Sequence, residues 1–152
     1  MVQKVVYIPN KQIIYYTSAF FLLLTAALKA IALWNGGVYL QNVDKLLGIK
    51  NVYILWPAML CELAVVGLIL VKPFSRITAI SIFFLGTEFG IYRIISAVGG
   101  FAVTCPCIGN MGKTLGLTIE AEVFILSFIA AWLFISGALL LWYKPFRSTP
   151  DH

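Results

Sequence analysis

Four long apolar runs, separated by short polar or glycine-bearing breaks, set the pattern of this chain. They cover about 13–34, 52–71, 77–98 and 123–142. At about 1.5 Å per residue, each predicts a helix long enough to cross a hydrocarbon core of roughly 30 Å. The breaks are chemically distinct. Gly36-Gly37 and Gly99-Gly100 stop the first and third runs, Lys72-Pro73-Phe74-Ser75-Arg76 is a short basic turn, and Lys144-Pro145-Phe146-Arg147 closes the fourth. Tyr15, Tyr16 and Trp34 mark the ends of the first run as interfacial anchors. Thr118 with Glu120 and Glu122 reads as an N-cap followed by acids near a helix start.

The stretch from Val38 to Asn51 mixes apolar with polar and charged residues, which suits a short interfacial helix or a packed loop. Pro57, early in the second run, is expected to kink its helix and to leave the Tyr53 carbonyl without its usual donor.

Composition sharpens this picture. Of 152 residues, 61% are hydrophobic and only 11% charged, whereas a soluble globule is nearer one half apolar. The reading is a single domain, residues 1–152: an all-α integral membrane four-helix transmembrane bundle. The first run is long enough to span and no A-x-A-like cleavage site follows it, so the first helix is expected to be retained. The formal charge of +5 concentrates beside the apolar runs, which indicates topology and contact with anionic lipid and not nucleic-acid binding.

An even number of spans puts both termini on one side, with Lys4, Lys11, Lys72, Arg76, Lys144 and Arg147. The other side carries Lys45, Lys50 and Lys113, offset by Asp44, Glu120 and Glu122. The positive-inside rule then predicts cytoplasmic termini. The 99–118 loop accordingly faces the periplasm or cell exterior, where disulfides form and persist.

That loop holds the candidate chemistry. Cys105 and Cys107, two of three cysteines, flank Pro106, with Gly109 shortly after. A bridge across one intervening residue closes a very small ring in which the preferred S–S torsion and Cα separation are hard to satisfy. A strained, accessible disulfide exchanges readily. Pro106 disfavours helical geometry at Cys105, and Gly109, Asn110 and Gly112 permit a tight turn. The reading is a redox pair, with Cys105 and Cys107 as the catalytic residues. A static bridge, ligation of a metal by the two thiolates and a pair of unused thiols are the competing readings. Metal ligation lacks further ligands, since the single histidine is the terminal His152 and Cys61 falls inside a span. Cys61 itself reads as a small buried filler.

Lys29, Glu62, Glu88 and Arg93 fall within spans, where each ionisable group costs about 2.5–3.5 kcal/mol at the centre. Counted from the outer helix ends, the two bases lie about 8 Å deep and the two acids about 15 Å deep. A cluster of all four beneath the cysteine loop would satisfy them. It would act either as internal salt bridges, with Lys29 and Arg93 partly snorkelling outward, or as a polar pocket that handles thiol protons or holds a quinone head group.

Lys29, Tyr53 to Pro57, Glu62, Gly67, Arg93 and Cys105-Pro106-Cys107-Ile108-Gly109 together resemble the MauE branch of the MauE/DoxX-like bacterial membrane proteins, over nearly the whole hydrophobic body. Ile108 stands where that family often has an aromatic residue, and Ile94 where it usually has glycine. The resemblance implies a multi-pass protein of the bacterial cytoplasmic (inner) membrane. It also implies a partnership with a periplasmic thioredoxin-like protein, or with a disulfide-containing client such as methylamine dehydrogenase in methylamine utilisation. The architecture is similar to the DsbB and vitamin K epoxide reductase bundles, though the Cys-x-x-Cys of those proteins is missing. The function expected is thiol–disulfide exchange or electron transfer through a Cys105–Cys107 disulfide. A non-enzymatic assembly factor and a quinone-linked oxidoreductase are the alternatives.

Overall fold

In the second helix, Pro57 lies inside a helical run that continues unbroken from Asn51 to Val71. The computed structural model describes residues 11–36, 38–99 and 118–142. Among these, α1 is Lys11–Asn35, α2 the single turn Val38–Gln41, α3 Asn51–Val71, α4 Arg76–Val98 and α5 Ile119–Trp142. Four helices, α1, α3, α4 and α5, are long and apolar enough to cross a membrane. The fourth begins four residues before the expected Val123, so Glu120 and Glu122 lie within its first turn. Thr118 caps it: its Oγ1 accepts from Ala121 N at 3.3 Å and its carbonyl from Glu122 N at 3.1 Å.

Each break forms for an identifiable reason. After α1, Gly36 takes φ 57, a left-handed conformation that glycine adopts without Cβ strain. Between α3 and α4, Ser75 caps the new helix by accepting from Thr78 N at 3.1 Å, and Thr78 Oγ1 donates back to the Lys72 carbonyl at 2.8 Å. Phe74 in this turn meets Tyr15 edge-on, which fixes the turn against the start of α1. The α1–α3 connector is the one-turn helix α2 followed by a closed turn. Asp44 N donates to Ile49 O at 2.8 Å, Gly48 N to Asp44 O at 2.8 Å, and Gly48 has φ 68.

The bundle keeps a set of polar residues inside its apolar core and is apolar outside. Ser18, Thr25, Lys29, Glu62, Thr78, Ser96 and Ser136 are buried, while Phe20, Leu70, Phe84 and Phe124 point outward. Water would penalise such a surface, whereas lipid accepts it once the helices satisfy their own backbone groups. The inner apolar cluster joins Leu22 of α1, Val65 and Ile69 of α3, Ile82 of α4 and Leu133 of α5. Ser18 and Ser136 add a buried hydroxyl contact of 3.3 Å between α1 and α5.

The helices pair closely as α1 with α3 and α4 with α5, and the two pairs meet each other more loosely. Small residues explain the tighter α4–α5 contact. A Cβ built on Gly86 would overlap the backbone of Leu133 and Phe134, and one on Gly137 would lie 2.5 Å from Phe83 Cα. Close backbone approach at small residues is how membrane helices gain packing without a hydrophobic driving force. Gly86→Leu and Gly137→Leu are each expected to lower unfolding free energy in detergent by about 3 kcal/mol, the upper end for overpacking, because backbone cannot step aside. Gly67→Ala and Gly90→Ala, whose added Cβ meets nothing within 4 Å, serve as matched controls and should be neutral or slightly stabilising. Equal losses at all four glycines in mixed-micelle denaturation would show that the close contact is not what these residues supply.

Cys61 departs from the sequence expectation. It is exposed on the outer face of α3 and is not core filler, because the inward positions around it are taken by Met59, Glu62 and Val65.

Candidate functional site

A cavity of about 110 Å³ opens between the two helix pairs. Lys29 enters it less than two turns before the end of α1, Glu62 from the middle of α3, and Glu88 and Arg93 from the second half of α4. Helical spacing sets these positions. Thr25 and Lys29 are i and i+4 on one face of α1, and Phe89 and Arg93 have the same spacing on α4. Leu126 and Ile129 of α5 supply an apolar wall. The four intramembrane charges therefore line a single cavity.

Within it the strongest contact is the ion pair of Lys29 Nζ with Glu62 Oε1 at 2.6 Å, both side chains almost wholly buried. Thr25 Oγ1 lies 3.0 Å from the same Oε1 and 3.1 Å from the Leu22 carbonyl of its own helix, and its single proton is shared between these two acceptors. The Lys29 ammonium lies 5.3 Å from the centre of the Phe89 ring, a cation–π contact that partly replaces its lost water. Lys29 is thus held inward and does not snorkel, because Glu62 and Phe89 offer it a better site than the interface does.

Not every polar atom in the lining is used internally. Glu62 Oε2 and Arg93 Nη2 are buried with no hydrogen-bond partner among the described residues. Arg93 lies within electrostatic reach of Glu122, and Glu88 of Glu62. Glu122, read from sequence as an acid at a helix start, is buried and has its own Oε1 without a described partner.

The connector forms one edge. Asp44 Oδ1 accepts from Leu46 N at 2.9 Å and Leu47 N at 2.8 Å, an Asx-type turn that directs Leu47 onto the cavity. Its other oxygen accepts from Tyr92 Oη at 2.6 Å, so α4 holds the connector in place.

Sequence reading singled out Lys29, Glu62, Glu88 and Arg93 but missed Thr25, Asp44, Phe89, Tyr92 and Glu122. Thr25 carried a usable signal, one helical turn before Lys29. The Asp44–Tyr92 contact spans 48 positions and carries no local signature. Cys105, Pro106, Cys107 and Gly109 lie outside the described residues. The segment that carries them links Gly99 at the end of α4 to Thr118 before α5, the end at which Arg93 and Glu122 stand. The chain matches no protein-family model, no curated protein and no solved structure.

Proposed function

We propose that this is a multi-pass membrane redox protein that exchanges disulfides through Cys105 and Cys107, with the charged cavity as the polar interior beneath that pair. The observation that carries the reading is the position of the cavity: its four charges gather in the half of the bundle from which the Cys105-Pro106-Cys107 segment leaves and to which it returns. Burying the Lys29–Glu62 pair, with Glu88 and Arg93 on the same cavity, is costly in lipid, and such sites commonly serve a proton or substrate path. The MauE-like resemblance of the cysteine segment agrees with this reading.

The exchange is balanced without a further reagent. A partner thiolate attacks one sulfur of the Cys105–Cys107 disulfide, the S–S bond breaks, and the displaced cysteine leaves as thiolate. A second partner thiol then attacks the mixed disulfide, which leaves the partner oxidised and the Cys105–Cys107 pair reduced. The partner is a thioredoxin-like protein or a client that carries disulfides, on the side opposite both termini, in a bacterial inner membrane with cytoplasmic termini.

Two measurements test this. Membrane-impermeant maleimide should label reduced Cys105 or Cys107 in intact spheroplasts, and labelling that requires permeabilisation reverses the orientation. Cys61, exposed only toward lipid, should stay unlabelled in both cases. Cys105→Ser or Cys107→Ser should trap a partner in a mixed disulfide that reductant releases. A protein whose Cys105→Ser/Cys107→Ser variant keeps full function and traps nothing is instead an assembly factor.

A further inference from the structure

Glu88 has no paired base among the described residues. It stands near the middle of α4, about 15 Å from the Val98 end, and its side chain is exposed at the mouth of the cavity. The two bases of the cavity are engaged elsewhere: Lys29 is paired with Glu62, and Arg93 has Glu122 within electrostatic reach. The charge that Glu88 acts on is Glu62, a second acid. Ionisable side chains inside spans normally face the bundle interior and pair with one another. Glu88 departs from that pattern in both respects.

Its surroundings form one continuous helix face. Ile77, Phe84, Ile91 and Ile95 lie at i−11, i−4, i+3 and i+7 from Glu88, and all four are exposed. The loose contact of α3 with α4 leaves this face open beside Ile54 and Ala58, which are partly exposed. The surface is apolar along its length with one carboxylate at mid-depth. Its complement is an apolar helix that carries one base at the same depth.

Two other occupants fit less well. Lipid head groups stay in the interfacial region, outside the hydrocarbon core in which Glu88 lies. A second copy of this chain brings no matching base among the described residues. Its Lys29 is almost wholly buried against Glu62, its Arg93 is turned to the cavity, and the other described bases lie at helix ends or in the connector.

We propose that the exposed face of α4 centred on Glu88 is the docking surface for a transmembrane helix of another protein, one with a lysine or arginine at mid-membrane. The base pairs with the Glu88 carboxylate, and Phe84 and Ile91 pack on either side of that contact. The surface is independent of the thiol–disulfide reading, because no cysteine takes part in it.

The test uses the purified full chain in phospholipid vesicles and synthetic tryptophan-free Leu/Ala helices of about 20 residues, long enough to span. Each carries a dansyl group, and binding is read as energy transfer from the chain's own tryptophans. A peptide with one central lysine should give saturable transfer, and the same peptide with central leucine should bind about tenfold more weakly, the scale of one polar interhelical contact in a membrane. Glu88→Gln should remove that preference while thermal unfolding stays unchanged. Glu88→Lys should transfer the preference to a peptide with a central glutamate, and Phe84→Ala/Ile91→Ala should weaken the lysine peptide with every charge left in place. Equal binding of the lysine and leucine peptides, or a lysine preference that survives Glu88→Gln, overturns the proposal. Self-association of the full chain that Glu88→Gln abolishes assigns the face to a second copy and overturns it as well.

Discussion

Glu62→Gln is expected to destabilise the bundle in detergent by about 3–5 kcal/mol, the range for removing one partner of a buried ion pair. The glutamine is isosteric and keeps an oxygen for Thr25, so the loss isolates charge: the Lys29 ammonium is left 2% exposed beside an amide and the Phe89 ring. The ceiling comes from neutralisation. Stripping a proton from a lysine of ordinary pKa about 10.4 at pH 7 costs about 4.6 kcal/mol, and protonating a carboxyl of ordinary pKa about 4.3 costs about 3.7 kcal/mol. Lys29→Met should therefore lie slightly below Glu62→Gln. Replacing both, as Lys29→Met with Glu62→Leu, should recover most of the loss, since an apolar pair of similar volume often equals a buried ion pair in stability. Thr25 is not stranded in that variant, because its hydroxyl still donates to Leu22. Unfolding in mixed micelles decides the matter. A double variant as unstable as either single one would mean that the pair is held by something other than mutual compensation.

The helices were legible because lipid imposes a simple rule on sequence. Residues facing outward are mostly apolar, so spans announce themselves by length, and the largest difference from expectation is at α5, where the polar cap Thr118 starts the helix four residues earlier. The charge cluster was legible for the complementary reason. Lys29, Glu62, Glu88 and Arg93 have few places to go inside a bilayer, and depth counted along each helix already put them near one another.

What sequence did not disclose depends on rotation and pairing. Depth does not say which face a residue presents, so the sequence alone places Cys61 inside, whereas its neighbour Glu62 occupies the inward position. Nor does depth say that α4 and α5 approach through Gly86 and Gly137, because a glycine in an apolar run looks the same whether it touches a helix or lipid. The asymmetry matters for the site. Tight pairs and a loose seam between them leave room for a cavity, whereas four equally packed helices would close it.

The redox poise of Cys105 and Cys107 should stand out from that of structural disulfides, which typically lie below about −300 mV. A bridge across the single residue Pro106 closes a ring too small for relaxed S–S geometry, and strain stored in the oxidised form favours reduction. Equilibration of the purified protein with glutathione buffers, read by gel shift after thiol alkylation, is therefore expected to give a potential well above that limit, in the range of the oxidising thioredoxin-like proteins. Inserting one residue after Pro106 to give Cys-x-x-Cys should relax the ring and lower the value, and Cys61→Ser, on the lipid face, should leave it unchanged. A wild-type potential at or below about −300 mV would assign the pair to an inert bridge. Failure to oxidise in any buffer would leave two thiolates available as metal ligands, and the exchange chemistry proposed for this loop would then have no oxidised form from which to start.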